Sequence, residues 1–257
     1  MKLGALTYRT RNLGDDVQTI SAMQYLEPEV FIDRDKIATE EREIKLIGNG
    51  YWDMRSFPPK SNIQMLPISM HIPLYELEKK DIDWFKRNEP IGCRDLHTER
   101  LLKSYGVEAY FSGCLTLTLP KYDGKREDYI VVVGKLPKSW YNDIRGENII
   151  DVRQYITDEK LINNPEARIK QARKNLEIYK KAKLVLTSRI HTAFPCIAIG
   201  TPVALDITRG FERLEGYDWI PRHKEIDLKK DYTIERPEEM IAKLKEKVAN
   251  FLEDDIM

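Results

Sequence analysis

What most constrains this chain is a rhythm. Short apolar runs of β-type residues alternate with segments whose apolar side chains recur every three or four positions. Residues 3–7 read as a strand, and residues 15–26 as a helix carrying Val17, Ile20 and Met23 on one side. Strands are expected again at 30–32, 44–47, 63–68, 90–93 and 109–111, with helical stretches near 74–86 and 95–105. Gly106 follows the latter as a helix-ending glycine does. Repeated βα units predict an α/β fold of mostly parallel sheets with helices on both faces, binding ligands at the carboxyl ends of the strands.

After CLTLTLP the segment KYDGKREDY is polar and turn-rich, and a strand at 129–133 starts the rhythm afresh. We therefore expect two Rossmann-like domains, residues 1–122 and 123–257, facing a central cleft. In the second, a strand at 148–152 precedes a helix entered through Asn164-Pro165, an N-cap followed by proline at the first helical position. A strand at 184–186, a helix from about His191 and a strand at 203–206 come next. The last helix, 237–252, shows Ile241, Leu244, Val248 and Phe251 along one line, with Glu238 and Glu239 in its first turn. No fixed-period repeat or low-complexity segment interrupts this plan.

Composition narrows the function classes. A chain of 257 residues with 42% hydrophobic residues can bury a sizeable core, and 42 Lys+Arg against 42 Asp+Glu leave no long-range field to steer nucleic acid. Any anion must be met locally. Cys93, Cys114 and Cys196 form no C-x-x-C pair, which fits a reducing compartment, and the cytoplasm is the expected location. The N-terminus turns charged too early for a secretory segment, and no apolar run approaches the roughly 20 residues that cross a bilayer.

Chemistry is expected where strands end. After the first strand, Arg9 to Asp16 contains Gly14, which permits close backbone approach, followed by a helix N-terminus able to meet an anion. The plainer alternative is that Asp15 or Asp16 caps that helix. Gly48-Asn49-Gly50 follows a strand in the same way but does not extend to G-x-G-x-x-G. No P-loop, zinc-protease or nucleophile-elbow motif occurs, and no His/Cys/Asp/Glu cluster has metal-ligand spacing.

Residues 184–192 are the most informative: an apolar strand stops at Ser188, Arg189 and His191 just where a helix begins. An arginine fork for carboxylate or phosphate and an imidazole able to move a proton suit an anionic substrate. A surface ion pair beside a helix-end histidine is the alternative. Arg94 ends another strand, either facing the cleft or pairing with Asp95 or Glu99. Arg209 and Arg213 are within reach of the same cleft, His71 follows a strand towards it, and His97 and His223 read as structural or exposed. Residues 168–183 hold seven Lys/Arg and one acid, Glu177, either a solvated helix face or a patch for an anionic membrane.

In these segments the chain resembles the polysaccharide pyruvyl transferase family. The resemblance rests on Asn12-Leu13-Gly14-Asp15, Gly48-Asn49-Gly50, Cys93-Arg94-Asp95 opening a helix that ends in Tyr-Gly-Val, and Ser188-Arg189-Ile190-His191 followed by Ile199-Gly200-Thr201-Pro202. It implies a GT-B-like fold and transfer of the enolpyruvyl group of phosphoenolpyruvate onto sugar hydroxyls as a ketal, without a cofactor. Arg189, His191 and Arg94 are then expected at the donor site. His191 is the first choice for acid/base and Asp15 for a hydroxyl base, the two roles being interchangeable. Asn12, Gly14, Gly48, Asn49, Gly50, His71, Ser188 and Arg209 are expected to bind substrate. The implied partners are phosphoenolpyruvate and a saccharide acceptor, free or lipid-linked, with weak contact to the inner membrane face through the basic segment. Where many members carry Asp-Pro before the domain junction, this chain has Ser112-Gly113-Cys114. Two other readings stay open: a GT-B-like glycosyltransferase using a nucleotide sugar, and a non-catalytic module that binds anions or glycans.

Overall fold

A computed structural model of the chain describes residues 1–206 and 211–253. Its named strands form three four-stranded sheets, and every pairing within them is parallel. The first runs in the order Val30–Asp33, Lys2–Thr7, Ile44–Ile47, Ile63–Leu66, and the second Gly50–Tyr51, Met70–His71, Ile91–Cys93, Ala109–Phe111. The third, in the second half of the chain, runs Ile149–Asp151, Glu127–Val133, Ala182–Thr187, Val203–Leu205.

Two strands pass from the first sheet into the second across short breaks. The strand expected at 63–68 stops at Leu66 and resumes as Met70–His71, because Pro67 has no N–H to give the ladder and Ser69 takes a positive φ of 53°. Its neighbour breaks at Gly48-Asn49, where Gly48 N–H donates to Leu66 O at 2.8 Å and Gly50 N–H to Ser69 O at 3.1 Å. The breaks were hidden in the sequence by their two-residue continuations, too short to show a period.

The third sheet shows why parallel strands read as continuous apolar runs. Along Glu127–Val133, Tyr129, Val131 and Val133 face a core with Ala172, Leu176 and Phe194, while Ile130 and Val132 face another with Trp140, Ile144 and Ala204. Helices cover both faces, and each fully buried aliphatic side chain contributes roughly 1.5–3 kcal/mol.

Two expectations change, and part of the basic run gains partners. The first helix spans Leu13–Ala22 and its cap is Asn12, whose side chain accepts from Gly14 N–H at 3.1 Å, so neither Asp15 nor Asp16 caps it. All ten residues of that helix are buried. The C-terminal helix Glu238–Glu253, assigned by sequence to the second half, sets Leu244 and Val248 against Ala22, Leu26, Ile47, Ile68 and Leu115 of the first. Four of the seven cations of the basic run have ionic partners: Arg168 is buried against Asp16, Lys180 pairs with Glu177, Lys181 with Glu127, and Lys183 with Asp128 and Glu147. Among the described residues no helix is long and apolar enough to cross a membrane.

Candidate active site

Local sequence aims each polar group. His191 lies in the first turn of the helix Ile190–Ile199, directly after the strand Ala182–Thr187. Pro195, four residues on, has no N–H, so the His191 carbonyl loses its helical partner and instead accepts from Gln154 Nε2 at 3.0 Å. Arg189 stands at the helix entry, its N–H donating to Thr187 Oγ1 at 2.9 Å. Gly134, at φ +88°, lies against this turn, where an added Cβ would come within 2.6 Å of Ser188 Oγ.

From the first half, the loop before the first helix is tied to the second by main chain. Leu13 N–H donates to Gln154 O at 3.1 Å, Ile156 N–H donates to Arg11 O at 2.8 Å, and Asn12 bridges Tyr155 in antiparallel fashion. Next to this seam, Arg168 makes a bidentate pair with Asp16 at 2.9 and 2.8 Å and donates to Thr10 O at 2.6 Å. Asn12, Gln154, Ser188, Arg189, Ile190, His191 and Arg213 line a pocket of about 100 Å³.

Arg94 corrects the simplest form of the expectation. It is 0% exposed and does not line the pocket, lying behind His191 with Nη1 3.3 Å from Nε2 of that ring. The same Nη1 donates to Gln18 Oε1 at 3.0 Å, and the Arg94 carbonyl accepts from Tyr217 O–H at 2.6 Å. Its Nε is 3.8 Å from Asp95 Oδ2, an ionic contact outside hydrogen-bond range, and among the described residues neither Nε nor Nη2 has a hydrogen-bond partner. Arg213 Nε is likewise buried without one. Unpaired buried donors on cations are expensive, and an anion is what would satisfy them.

His71 sits behind the pocket too. Its Nδ1 is 2.7 Å from Asp95 Oδ2, and Asp95 Oδ1 accepts from Thr98 N–H at 3.0 Å, capping the helix Leu96–Ser104. Asp15 is buried, accepting from Thr10 Oγ1 at 2.9 Å and from Gln18 Nε2 at 3.4 Å. Gly14 allows the closest approach, since a Cβ there would lie 3.1 Å from His191 Cβ and 3.2 Å from its Nδ1. The Gly48-Asn49-Gly50 segment does not reach the pocket. Gly48 packs on Met65, Asn49 Nδ2 donates to the Gln18 carbonyl at 2.9 Å, and Gly50 lies beside the Gln18 amide. Arg209 falls outside the described residues.

The electrostatics follow from burial beside guanidinium groups. His191 is pushed well below its ordinary value by burial, then by Arg94 and Arg213, and His71 is lowered to about 4 by burial and Arg94 against the pull of Asp95. Burial and Arg94 lower Arg213 to about 10. Asp15 is raised by burial, although Arg34, Thr10, Arg213 and Arg94 all oppose the shift. Neutral imidazoles beside the Arg94 and Arg213 guanidinium groups set positive charge close to the pocket. Gln18, Gln154 and Tyr217 had not been singled out; Gln18 alone left a trace, standing four residues after Gly14 on the helix that opens at the loop.

The sequence model of the polysaccharide pyruvyl transferase family matches residues 12–205. No curated protein matches the chain. A crystal structure of an uncharacterised protein from Klebsiella pneumoniae subsp. pneumoniae NTUH-K2044 is similar at 17% identity and a TM-score of 0.42, over 84% of this chain and 88% of that one.

Proposed function

Given that the chain belongs to the polysaccharide pyruvyl transferase family, we propose that it transfers the enolpyruvyl group of phosphoenolpyruvate onto two hydroxyls of a saccharide, forming a pyruvate ketal and releasing phosphate. The observation that carries this reading is the buried Arg213 Nε, without a hydrogen-bond partner among the described residues, at a pocket lined also by Arg189 and His191, with Arg94 behind the imidazole. A donor with a carboxylate and a phosphate supplies the anions such a site lacks.

In the reaction, the methylene carbon gains a proton and the neighbouring carbon, now electrophilic, is attacked by one sugar hydroxyl. Phosphate then leaves as the second hydroxyl closes the ketal. One hydroxyl proton balances the proton given to carbon, and the other departs with phosphate. Arg189 and Arg213 at the pocket are assigned to the donor anions, with Arg94 reinforcing the positive potential from behind. Asp15 and His191 are the groups available to handle protons. The scheme requires neither a metal nor an organic cofactor.

We further read residues 1–122 and 123–257 as the two Rossmann-like units of a GT-B-like arrangement, with the C-terminal helix returning to the first. The pocket opening where Ala182–Thr187 ends supports that reading. A cytoplasmic setting and a free or lipid-linked acceptor belong to the same proposal.

The deciding experiment measures thermal stabilisation by phosphoenolpyruvate and phosphate release across a panel of saccharides. At about 100 times its dissociation constant a ligand adds roughly 2.7 kcal/mol to the native state. Stabilisation together with saccharide-dependent phosphate release is expected. Stabilisation by a nucleoside diphosphate but not by phosphoenolpyruvate would replace this reading with nucleotide-sugar transfer, and binding without phosphate release would leave a binding module.

A further inference from the structure

We propose that His191 acts as an uncharged hydrogen-bond donor through Nδ1–H, its tautomer dictated by Arg94, and that Gln18 is the positioning residue that holds Arg94 to this task. The inference rests on the pyruvyl-transfer reading only for the identity of the ligand that receives the hydrogen bond.

A guanidinium carries N–H donors and no acceptor. Its Nη1 lies 3.3 Å from His191 Nε2, so that nitrogen must offer a lone pair. An imidazolium has none to offer, and neither has the tautomer protonated at Nε2. The ring is therefore neutral with its proton on Nδ1.

The arginine is held from two sides. Gln18 Oε1 accepts from Nη1 at 3.0 Å, while the Gln18 amide nitrogen faces Asp15 Oδ1 at 3.4 Å. Turning the amide over would set N–H against N–H at the arginine and oxygen against oxygen at the carboxylate, so the contacts fix its orientation. Asn49 ties the Gln18 carbonyl at 2.9 Å, and Tyr217 ties the Arg94 carbonyl at 2.6 Å. Both Gln18 and Arg94 are buried.

The other ring nitrogen is left for a ligand. Among the described residues no protein group hydrogen-bonds His191 Nδ1. It lies towards Gly14, where no Cβ crowds it, and His191 lines the pocket with Asn12. The charged and titratable groups around the ring are Arg94, Arg213 and His71, and each of them, with burial, disfavours a second proton. A neutral ring that released its one proton would become an imidazolate, which the scheme does not call for. Of the two groups assigned above to proton handling, Asp15 is then the one that moves the proton. His191 instead directs a fixed dipole at an oxygen of the donor, the role a neutral imidazole plays as an electrophile.

The test begins on the unmodified protein. With ¹⁵N-labelled histidine, two-bond ¹H–¹⁵N spectra from about pH 5 to about pH 9 should show one ring with a protonated, pyrrole-type Nδ1 and a lone-pair-bearing, pyridine-type Nε2 throughout. The signal is assigned by its loss in His191→Asn. A titrating ring, or one protonated at Nε2, overturns the proposal whether or not the protein transfers pyruvyl groups. Gln18→Leu, which takes away the acceptor that holds Nη1, should mix the two tautomers; unchanged spectra in Gln18→Leu would remove Gln18 from its positioning role. In turnover, His191→Asn sets an amide N–H close to the place of Nδ1–H and should stay within about tenfold of the parent, whereas His191→Gln should lose about 10²-fold or more. The reverse order would mean that Nε2 is the working atom. Absence of turnover in the parent, with the tautomer as stated, would refute the functional reading and leave the assignment of the ring standing.

Discussion

Replacing Arg168 by Met isolates what holds the first loop to the second half. Arg168 is 0% exposed and its fork closes on Asp16 at 2.9 and 2.8 Å across 152 residues of sequence. The substitution removes the cation, keeps much of the volume and strands a buried carboxyl, a change that costs about 3–5 kcal/mol. For a chain of this size the melting temperature should fall by roughly 6–20 °C at pH 7. The pH dependence sharpens the test. Burial raises Asp16 from 3.8 to about 6 even with Arg168 in place, and without the guanidinium the folded-state value moves higher. A carboxyl whose folded pKa exceeds its unfolded one takes up a proton on folding, so its burden on stability grows as pH rises through that interval and shrinks as pH falls. Calorimetry at pH 7 and pH 5 should therefore find the deficit of Arg168→Met smaller at the lower pH. Asp16→Asn combined with Arg168→Met should recover part of the loss. A single variant melting within about 2 °C of the parent at pH 7, or a deficit indifferent to pH, would refute the view that this pair is a coupled, buried contact.

Three further outcomes are expected. His71 has a folded pKa of about 4 against an ordinary 6.5, so it binds fewer protons folded than unfolded, and roughly 3 kcal/mol of stability present above pH 6.5 should drain away as pH falls towards 4; chemical denaturation of His71→Gln across that range should show a flatter profile. Gly14→Ala should lower both the melting temperature and, about tenfold or more, turnover, because its Cβ would crowd His191 Cβ and the capping Asn12 Oδ1 at 3.1 Å, an overpacking worth on the order of 1–3 kcal/mol. Arg189→Lys, at an exposed position lining the pocket, should leave stability unchanged and weaken phosphoenolpyruvate binding about tenfold in calorimetric titration, for an ammonium lacks the two-pronged donor geometry.

What was legible in the sequence is what local chemistry controls. Val131 and Leu186 announce parallel strands by sitting in unbroken apolar runs, and Asn164-Pro165 marks a helix start that the structure keeps, with Asn164 accepting from Ala167 N–H at 3.0 Å. Arg94, Ser188, Arg189 and His191 were recognisable because each stands where a strand ends. Their depth was not: that Arg94 would lie behind His191 depends on Gln18, 76 positions away, and on Tyr217, 123 away. The pairing of the basic run was out of sight for a related reason, since Arg168 meets Asp16 on the first helix and Lys183 meets Asp128 and Glu147 elsewhere in the chain. The C-terminal helix displayed its apolar line plainly, but periodicity states that a face is buried and says nothing of which sheet receives it.

The seam between Arg11–Leu13 and Gln154–Ile156 joins the two halves by backbone groups, through N–H and carbonyl atoms that every residue except proline supplies in full. The alignment of the halves rests there mainly on the main chain, while the side chains of Asn12 and Gln154 line the pocket and also serve the first-helix cap and the His191 carbonyl. Substitutions there would keep the main-chain seam but release the first-helix cap or the His191 carbonyl. A library built on residues 12 and 154 would therefore trade pocket shape against the helix cap that Asn12 supplies and the contact that Gln154 gives the His191 carbonyl.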